Sequence, residues 1–262
     1  MVFTTSLLVL FCVALVVSSI GFKKYVWFIS LGYGFSIAAE GIAMLIMFPQ
    51  NPLTIIACLL IIVYGCRLSG YLAYREFKSG SYATHMKGEI KEDVPFGVKI
   101  AIWVTCAALY LFQVLAIMYR LQNGAENNIW LVVGLIVVVC GIVLESSADL
   151  QKNRAKKVNP RRWVDTGLYR IVRCPNYLGE LVFWTGVVLS GIGAVAGAQW
   201  ILVVIGYLGI VFVMFSGARR LEIRQNKNYG ADPEYQRYMK SVPILIPLVP
   251  LYSVEKYTWL VA

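Results

Sequence analysis

The sequence predicts an all-α, polytopic integral membrane protein of about seven transmembrane helices, with its N-terminus outside and its C-terminus in the cytoplasm. Three observations carry this expectation. The 262 residues are 59% hydrophobic and only 15% charged, with a mean hydropathy of +0.68, which leaves too little polar surface to cover a soluble core. Several windows approach or exceed the ~20 apolar residues needed to cross a hydrocarbon core of ~30 Å. The charge, +10 overall, is gathered in alternate loops.

The expected spans are residues 4–22, 25–48, 53–74, 96–118, 129–149, 177–194 and 198–218. The first lacks a basic n-region and ends at Lys23-Lys24, so it reads as a retained span rather than a signal peptide. Residues 181–218 hold no charge, and the glycines from Gly191 to Gly197 in their middle predict a tight hairpin between two helices. Lys23 and Lys24 follow the first span, and Arg75, Lys78, Lys87 and Lys91 follow the third. The densest basic run, 152–173, follows the fifth, and a basic tail opens at Arg219. The alternate loops are uncharged except for Arg120 and Glu126. This is a positive-inside pattern. It argues against nucleic acid as a partner and for attraction to anionic membrane lipids. The six cysteines show no paired spacing, and a lone histidine, His85, excludes a multi-histidine metal cluster, so no metal site is expected.

Charged groups inside membrane spans are costly and mark function or a paired structural role. Glu40 lies deep in the second span. Tyr64, Arg67, Tyr71 and Arg75 recur at helical spacing in the third and share one face. Glu145 and Asp149 share a face at the cytoplasmic end of the fifth, and Glu180 opens the sixth. The segment 165–180, Asp-Thr-Gly-Leu-Tyr-Arg-Ile-Val-Arg-Cys-Pro-Asn-Tyr-Leu-Gly-Glu, is the most specific in the chain. Gly167 permits a tight turn, and Pro175 suits the first turn of a helix. A helix N-terminus flanked by Arg170 and Arg173 is a natural anion site. Asn176 offers donors and acceptors to an amide or ribose, and Glu180 accepts hydrogen bonds one turn later.

Here the chain resembles the steroid 5-alpha-reductase-like membrane reductases, especially short bacterial members. The likeness runs from Gly32 to Pro250 and rests on Gly167-Leu-Tyr, on Asn176-Tyr-Leu-Gly-Glu180, and on a tail of Tyr235-Gln-Arg-Tyr238 closing at Pro247. It implies seven transmembrane helices, NADPH bound on the cytoplasmic side, and reduction of the carbon–carbon double bond of a lipidic enone such as a 3-oxo-Δ4 steroid. By matching position, it implies Tyr64 and Glu40 as the catalytic pair, with Arg67 and Tyr71 on the substrate. It implies cofactor contacts from Glu145, Asp149, Lys156, Asn176, Tyr177, Glu180 and either Arg219 or Arg220, beside Arg170 and Arg173. The family's glutamine beside the catalytic carboxylate would fall at Ala39, and Lys156 replaces an arginine. The resemblance further implies a single membrane domain, 1–262, with four helices on the substrate side (1–120) and three with cytoplasmic loops on the cofactor side (121–262). The expected partner is a hydrophobic small molecule from the bilayer, the expected state a monomer, and the expected site a multi-pass protein of a bacterial inner or endoplasmic reticulum membrane.

Two other readings stand beside this one. Membrane S-adenosylmethionine-dependent methyltransferases of the isoprenylcysteine carboxyl or phospholipid type carry a similar Arg-His-Pro-x-Tyr-x-Gly motif, but Cys174 occupies the histidine position. A transporter or scaffold is the other, and no internal repeat supports it.

Overall fold

The structure, a computed structural model, describes residues 2–78 and 94–261. The expectations at His85, Lys87 and Lys91 lie outside the described residues, as do the side chains of Arg75 and Lys78. Every regular element among the described residues is helical: α1 Thr5–Ser18, α2 Leu31–Met47, α3 Pro52–Lys78, α4 Phe96–Gln122, α5 Ile129–Val158, α6 Pro175–Leu189, α7 Gln199–Tyr229 and α8 Pro233–Ser241. Short 3-10 turns extend α1 over Ser19–Phe22 and precede α2 over Tyr25–Phe28. With those turns counted, α1 to α5 and α7 are long and apolar enough to cross a membrane. The chain is therefore an all-helical, polytopic membrane protein.

α6 is shorter than the sequence suggested. Its 15 residues rise about 22 Å, less than the ~30 Å of a hydrocarbon core. The chain turns beyond Leu189 because Gly193 and Gly197 take φ of +75° and +49°, open to glycine at little cost. α5 departs the other way, running on past Asp149 to Val158. Nothing in 149–158 breaks a helix, and Pro160 ends it from beyond.

The chain divides into two compact units: Met1–Val132 with Val187–Gly206, and Val133–Gly186 with Tyr207–Ala262. In the first, α2 and α3 form an antiparallel hairpin so close that a Cβ built at Gly34 would lie 2.5 Å from the Gly65 carbonyl oxygen. Ser69 Oγ donates to the Leu31 carbonyl at 2.9 Å and accepts from the Phe35 N–H at 3.1 Å, tying α3 to the first turn of α2. α1 runs antiparallel to α2, where Ser36 Oγ donates to Ala14 O at 3.4 Å. It also runs antiparallel to α4, where Trp103 Nε1 donates to Leu15 O and Thr4 Oγ1 to Gln122 Oε1. Hence α2 and α4 run parallel.

Arg120, the exception in the charge pattern, is buried at 1% exposure. Its guanidinium donates to Ser190 O at 2.8 Å, Glu126 O at 2.9 Å and Asn128 Oδ1 at 3.0 Å, so it closes the turns rather than facing solvent. No other Lys or Arg falls between Lys99 and Lys152. Among the described residues that end of the unit exposes no lysine or arginine, which sharpens the asymmetry read from the sequence.

In the second unit α5 and α6 meet backbone to backbone through glycines. Gly179 and Gly186 stand seven apart on α6, opposite Gly134 and Gly141, seven apart on α5. A Cβ at Gly179 would lie 2.6 Å from Glu145 N, and one at Gly186 2.6 Å from Gly134 O and Val138 N. The glycine before Glu180 is thus a packing requirement, and it brings the start of α6 against Glu145.

Candidate functional site

The residues expected to carry chemistry fall into two groups, one in each unit. In the first unit Glu40 and Tyr64 are both fully buried. Neither carboxyl oxygen of Glu40 has a hydrogen-bond partner among the described residues. The Tyr64 hydroxyl lies 3.2 Å from the Tyr33 hydroxyl. The Tyr33 ring packs 5.1 Å from that of Tyr110, and Tyr110 donates to Phe28 O at 2.6 Å. Glu40 is within electrostatic reach of Tyr110. Arg67 and Tyr71, on the following turns of α3, are half-buried. Tyr33 and Tyr110 were missed from the sequence. Tyr33 was within reach of it, since it stands seven residues before Glu40 and so shares its helix face. Tyr110 depends on a tertiary contact that no local pattern shows.

In an apolar bundle a carboxyl group with no partner is costly. Four oxygen-bearing side chains therefore converge where the surrounding helices are otherwise hydrophobic, and one of them lacks a hydrogen-bond partner among the described residues. Such a place suits a ligand oxygen that can exchange hydrogen bonds with a carboxyl and a phenol.

The second group starts at Gly167, whose φ of +59° opens a 3-10 turn over Gly167–Arg170. Gln151 Oε1 accepts from Leu168 N at 2.8 Å, and Tyr169 donates to Ala148 O at 3.3 Å. The Gly-Leu-Tyr motif thus docks the loop on α5. Tyr238 donates to Tyr169 O at 2.8 Å, and the Arg173 and Cys174 N–H groups donate to Pro243 O and Ile244 O. The tail signature is a clasp on the start of α6.

Arg173, expected beside a phosphate, is turned inward instead. It is 2% exposed, and its Nη2 pairs with Glu222 Oε1 at 2.9 Å and donates to Tyr252 O. The other Glu222 oxygen accepts from Val254 N at 2.8 Å. The basic residue nearest the α6 N-terminus is therefore spent on the protein's own carboxylate, because Glu222 lies buried on α7 and needs a counter-charge. Lys156 likewise donates to Pro160 O at 3.2 Å and to Tyr229 Oη at 3.3 Å, closing the end of its own helix. Arg219 donates to Glu255 O at 3.0 Å and Leu260 O at 3.4 Å.

Glu145 and Glu180 are buried at 3% and 5% exposure, and Asp149, Asn176 and Tyr177 are half-buried. Arg170, Arg220 and Arg224 are exposed. Tyr177 lies against Gly217 of α7 and within electrostatic reach of Glu180, Arg220 and Arg224. So α5, α6 and α7 carry three carboxylates, an amide, a phenol and two solvent-facing guanidinium groups. Arg219 is engaged with the tail, and Arg220 is exposed and within electrostatic reach of Tyr177.

Residues 10–242 match the model of a family described as a protein of unknown function, DUF1295. The chain belongs to the DUF1295 family. The match takes in Glu40, Tyr64 and the whole α5–α7 group. The resemblance drawn from Gly167-Leu-Tyr and Asn176-Tyr-Leu-Gly-Glu180 also finds a curated counterpart. Over 135 residues the chain is 25% identical to the protein named steroid 5-alpha-reductase DET2 of Arabidopsis thaliana, covering 49% of this chain and 47% of that protein. The chain thus spans about half the length of that relative. No solved structure matches the chain. In this DUF1295 protein Cys174 is 1% exposed, and burial pushes its thiol up to about 12. The side chain at the methyltransferase histidine position is thus enclosed by protein.

Proposed function

We propose that this protein is an NADPH-dependent membrane reductase of the carbon–carbon double bond of a lipidic enone, with a 3-oxo-Δ4 steroid or related lipid as the substrate class. The observation that carries the reading is the Glu40 carboxyl group, fully buried and without a hydrogen-bond partner among the described residues, on the helix face shared with Tyr33, whose hydroxyl meets Tyr64. An enone accepts a hydride at its β carbon when negative charge can collect on the carbonyl oxygen. The Tyr64 hydroxyl donates to that oxygen and can pass it a proton. A protonated Glu40 donates its O–H to the same oxygen from a second side, and Tyr33 orients the Tyr64 hydroxyl. Helices rich in apolar side chains keep water from the reacting carbon.

The α5–α7 group fits a dinucleotide by the chemistry of its donors and acceptors. Glu145, Asp149 and Glu180 can accept from ribose hydroxyls or a carboxamide, Asn176 can both donate and accept, and Arg220 with Arg224 suits phosphate. Arg170 is exposed and can add to them, whereas Arg173, Lys156 and Arg219 serve the fold. When bound, NADPH supplies the hydride. The basic loops at 152–173 and 219–240 and the buried Arg120 support an orientation with the C-terminus in the cytoplasm and the dinucleotide group facing it.

The enclosed Cys174 speaks against the methyltransferase reading. Thermal-shift titration of purified protein separates the two. Stabilisation by NADPH and not by S-adenosylmethionine is expected, and the reverse result would end the reductase reading.

A further inference from the structure

Glu40 is joined in the first unit by a second buried side chain whose polar atoms are unmet. Gln113, midway along α4, is 4% exposed, and neither its amide oxygen nor its amide nitrogen has a hydrogen-bond partner among the described residues. In a helix that crosses hydrocarbon this arrangement is costly unless something else supplies the partners.

The position of Gln113 says where that partner would sit. Cys106, Tyr110 and Gln113 stand at i, i+4 and i+7, so they form one stripe of α4. That stripe meets α2, since the Tyr110 ring lies 5.1 Å from Tyr33. On α2 the same face carries Glu40. The two helices run parallel, each antiparallel to α1. Counted from the Tyr33–Tyr110 contact, Gln113 lies three residues further along and Glu40 seven. At 1.5 Å per residue their axial offset is about 6 Å. Two hydrogen bonds of ~2.8 Å to one shared oxygen span about the same length.

We propose that Gln113 contacts the substrate, its amide N–H donating to the lipid oxygen that Glu40 and Tyr64 also address. This rests on the reading that the Glu40–Tyr64 face takes a carbonyl. A neutral amide keeps its donor at every working pH, and its hydrogen bond strengthens as negative charge collects on the oxygen. The ligand class that fits is a neutral lipid presenting a ketone at its leading end, with no charged headgroup.

The test is Gln113→Leu, which keeps the volume and removes both polar atoms. One arm needs no turnover. Binding of a 3-oxo-Δ4 steroid and of its 3-deoxy analogue is measured on NADPH-free protein, alongside the ligand-free melting temperature. The unaltered protein is expected to prefer the ketone by about tenfold or more. Gln113→Leu should lower that preference about fivefold or more while melting no lower, Glu40 and Tyr64 holding the rest. In the second arm kcat/KM for the enone should fall about a hundredfold, with the Kd for NADPH unchanged. A variant that keeps the ketone preference undiminished, or that loses both lipids together with its melting temperature, overturns the proposal. So does an unaltered protein that shows no preference for the ketone. Should the unaltered protein bind the ketone preferentially yet oxidise no NADPH with any enone, the reductase reading fails, and the binding arm still decides the role of Gln113.

Discussion

Replacing Arg173 by Met tests the account where it departs furthest from what the sequence suggested. The side chain is 1% exposed and pairs at 2.9 Å with a Glu222 that is 0% exposed. Removing it leaves one Glu222 oxygen buried beside no cation, while the other still accepts from Val254 N at 2.8 Å. Breaking a buried pair from one side costs about 3–5 kcal/mol, a factor of roughly a hundred to several thousand in the folding equilibrium. For a chain of this size the midpoint should drop by about 6–20 °C. Adding Glu222→Gln neutralises the orphaned charge and keeps an oxygen for Val254, so the double variant should regain most of the loss. The assay is thermal melting of the detergent-solubilised protein, with NADPH affinity measured on whatever stays folded at low temperature. The double variant should bind NADPH as the unaltered protein does. A stable Arg173→Met variant with greatly weakened NADPH binding would refute the structural assignment and return Arg173 to the phosphate.

Tyr64→Phe should lower kcat by about 10²–10⁴ and leave the Kd for NADPH unchanged, as read by steady-state kinetics beside a binding titration. Gly179→Ala would place a methyl 2.6 Å from the Glu145 nitrogen, part α5 from α6 and cost about 1–3 kcal/mol, with a matching loss of NADPH affinity; melting and titration of the same sample check both. Burial pushes the Tyr235 hydroxyl up to about 12 and raises Tyr238 as well. Unfolded tyrosines ionise near ~10, so their contribution is complete below that pH and is lost as pH climbs from about 10 towards about 12. Alkaline melts of Tyr235→Phe should therefore show a shallower decline than the parent. Cys174, its thiol held up to about 12 by burial, should resist alkylation near ~pH 8 in native membranes and react once the protein is denatured; mass spectrometry of the labelled peptide reads this directly.

The membrane spans were legible because length and apolarity are properties of a local window. Where they misled, the cause was also local but finer. Nothing in 149–158 stops α5, and the glycines at 191–197 end the run before α6 reaches membrane length. Gly179 stood out in a motif, yet its reason, contact with the backbone at Glu145, lies 34 positions upstream and appears only once the helices are paired. Arg173 illustrates the limit most clearly. Beside a helix start it looks like an anion ligand, and in the structure it pairs with Glu222, 49 positions away. Tyr33 is the opposite case, since its spacing from Glu40 marks a shared face without any tertiary knowledge. Arg219 and Arg220 are neighbours in sequence and differ only through the tail, whose carbonyls engage the first.

The central claim, reduction of a lipid enone with the oxygen held by Tyr64 and Glu40, is tested most directly by one measurement. Purified protein is supplied with NADPH and a panel of lipid enones led by a 3-oxo-Δ4 steroid, and nucleotide oxidation is followed with identification of the product by mass. The account predicts one saturated ketone formed per NADPH consumed, with the rate lowered about a hundredfold or more in Tyr64→Phe. NADPH that binds while every enone returns unchanged, or turnover that persists undiminished in Tyr64→Phe, would contradict it.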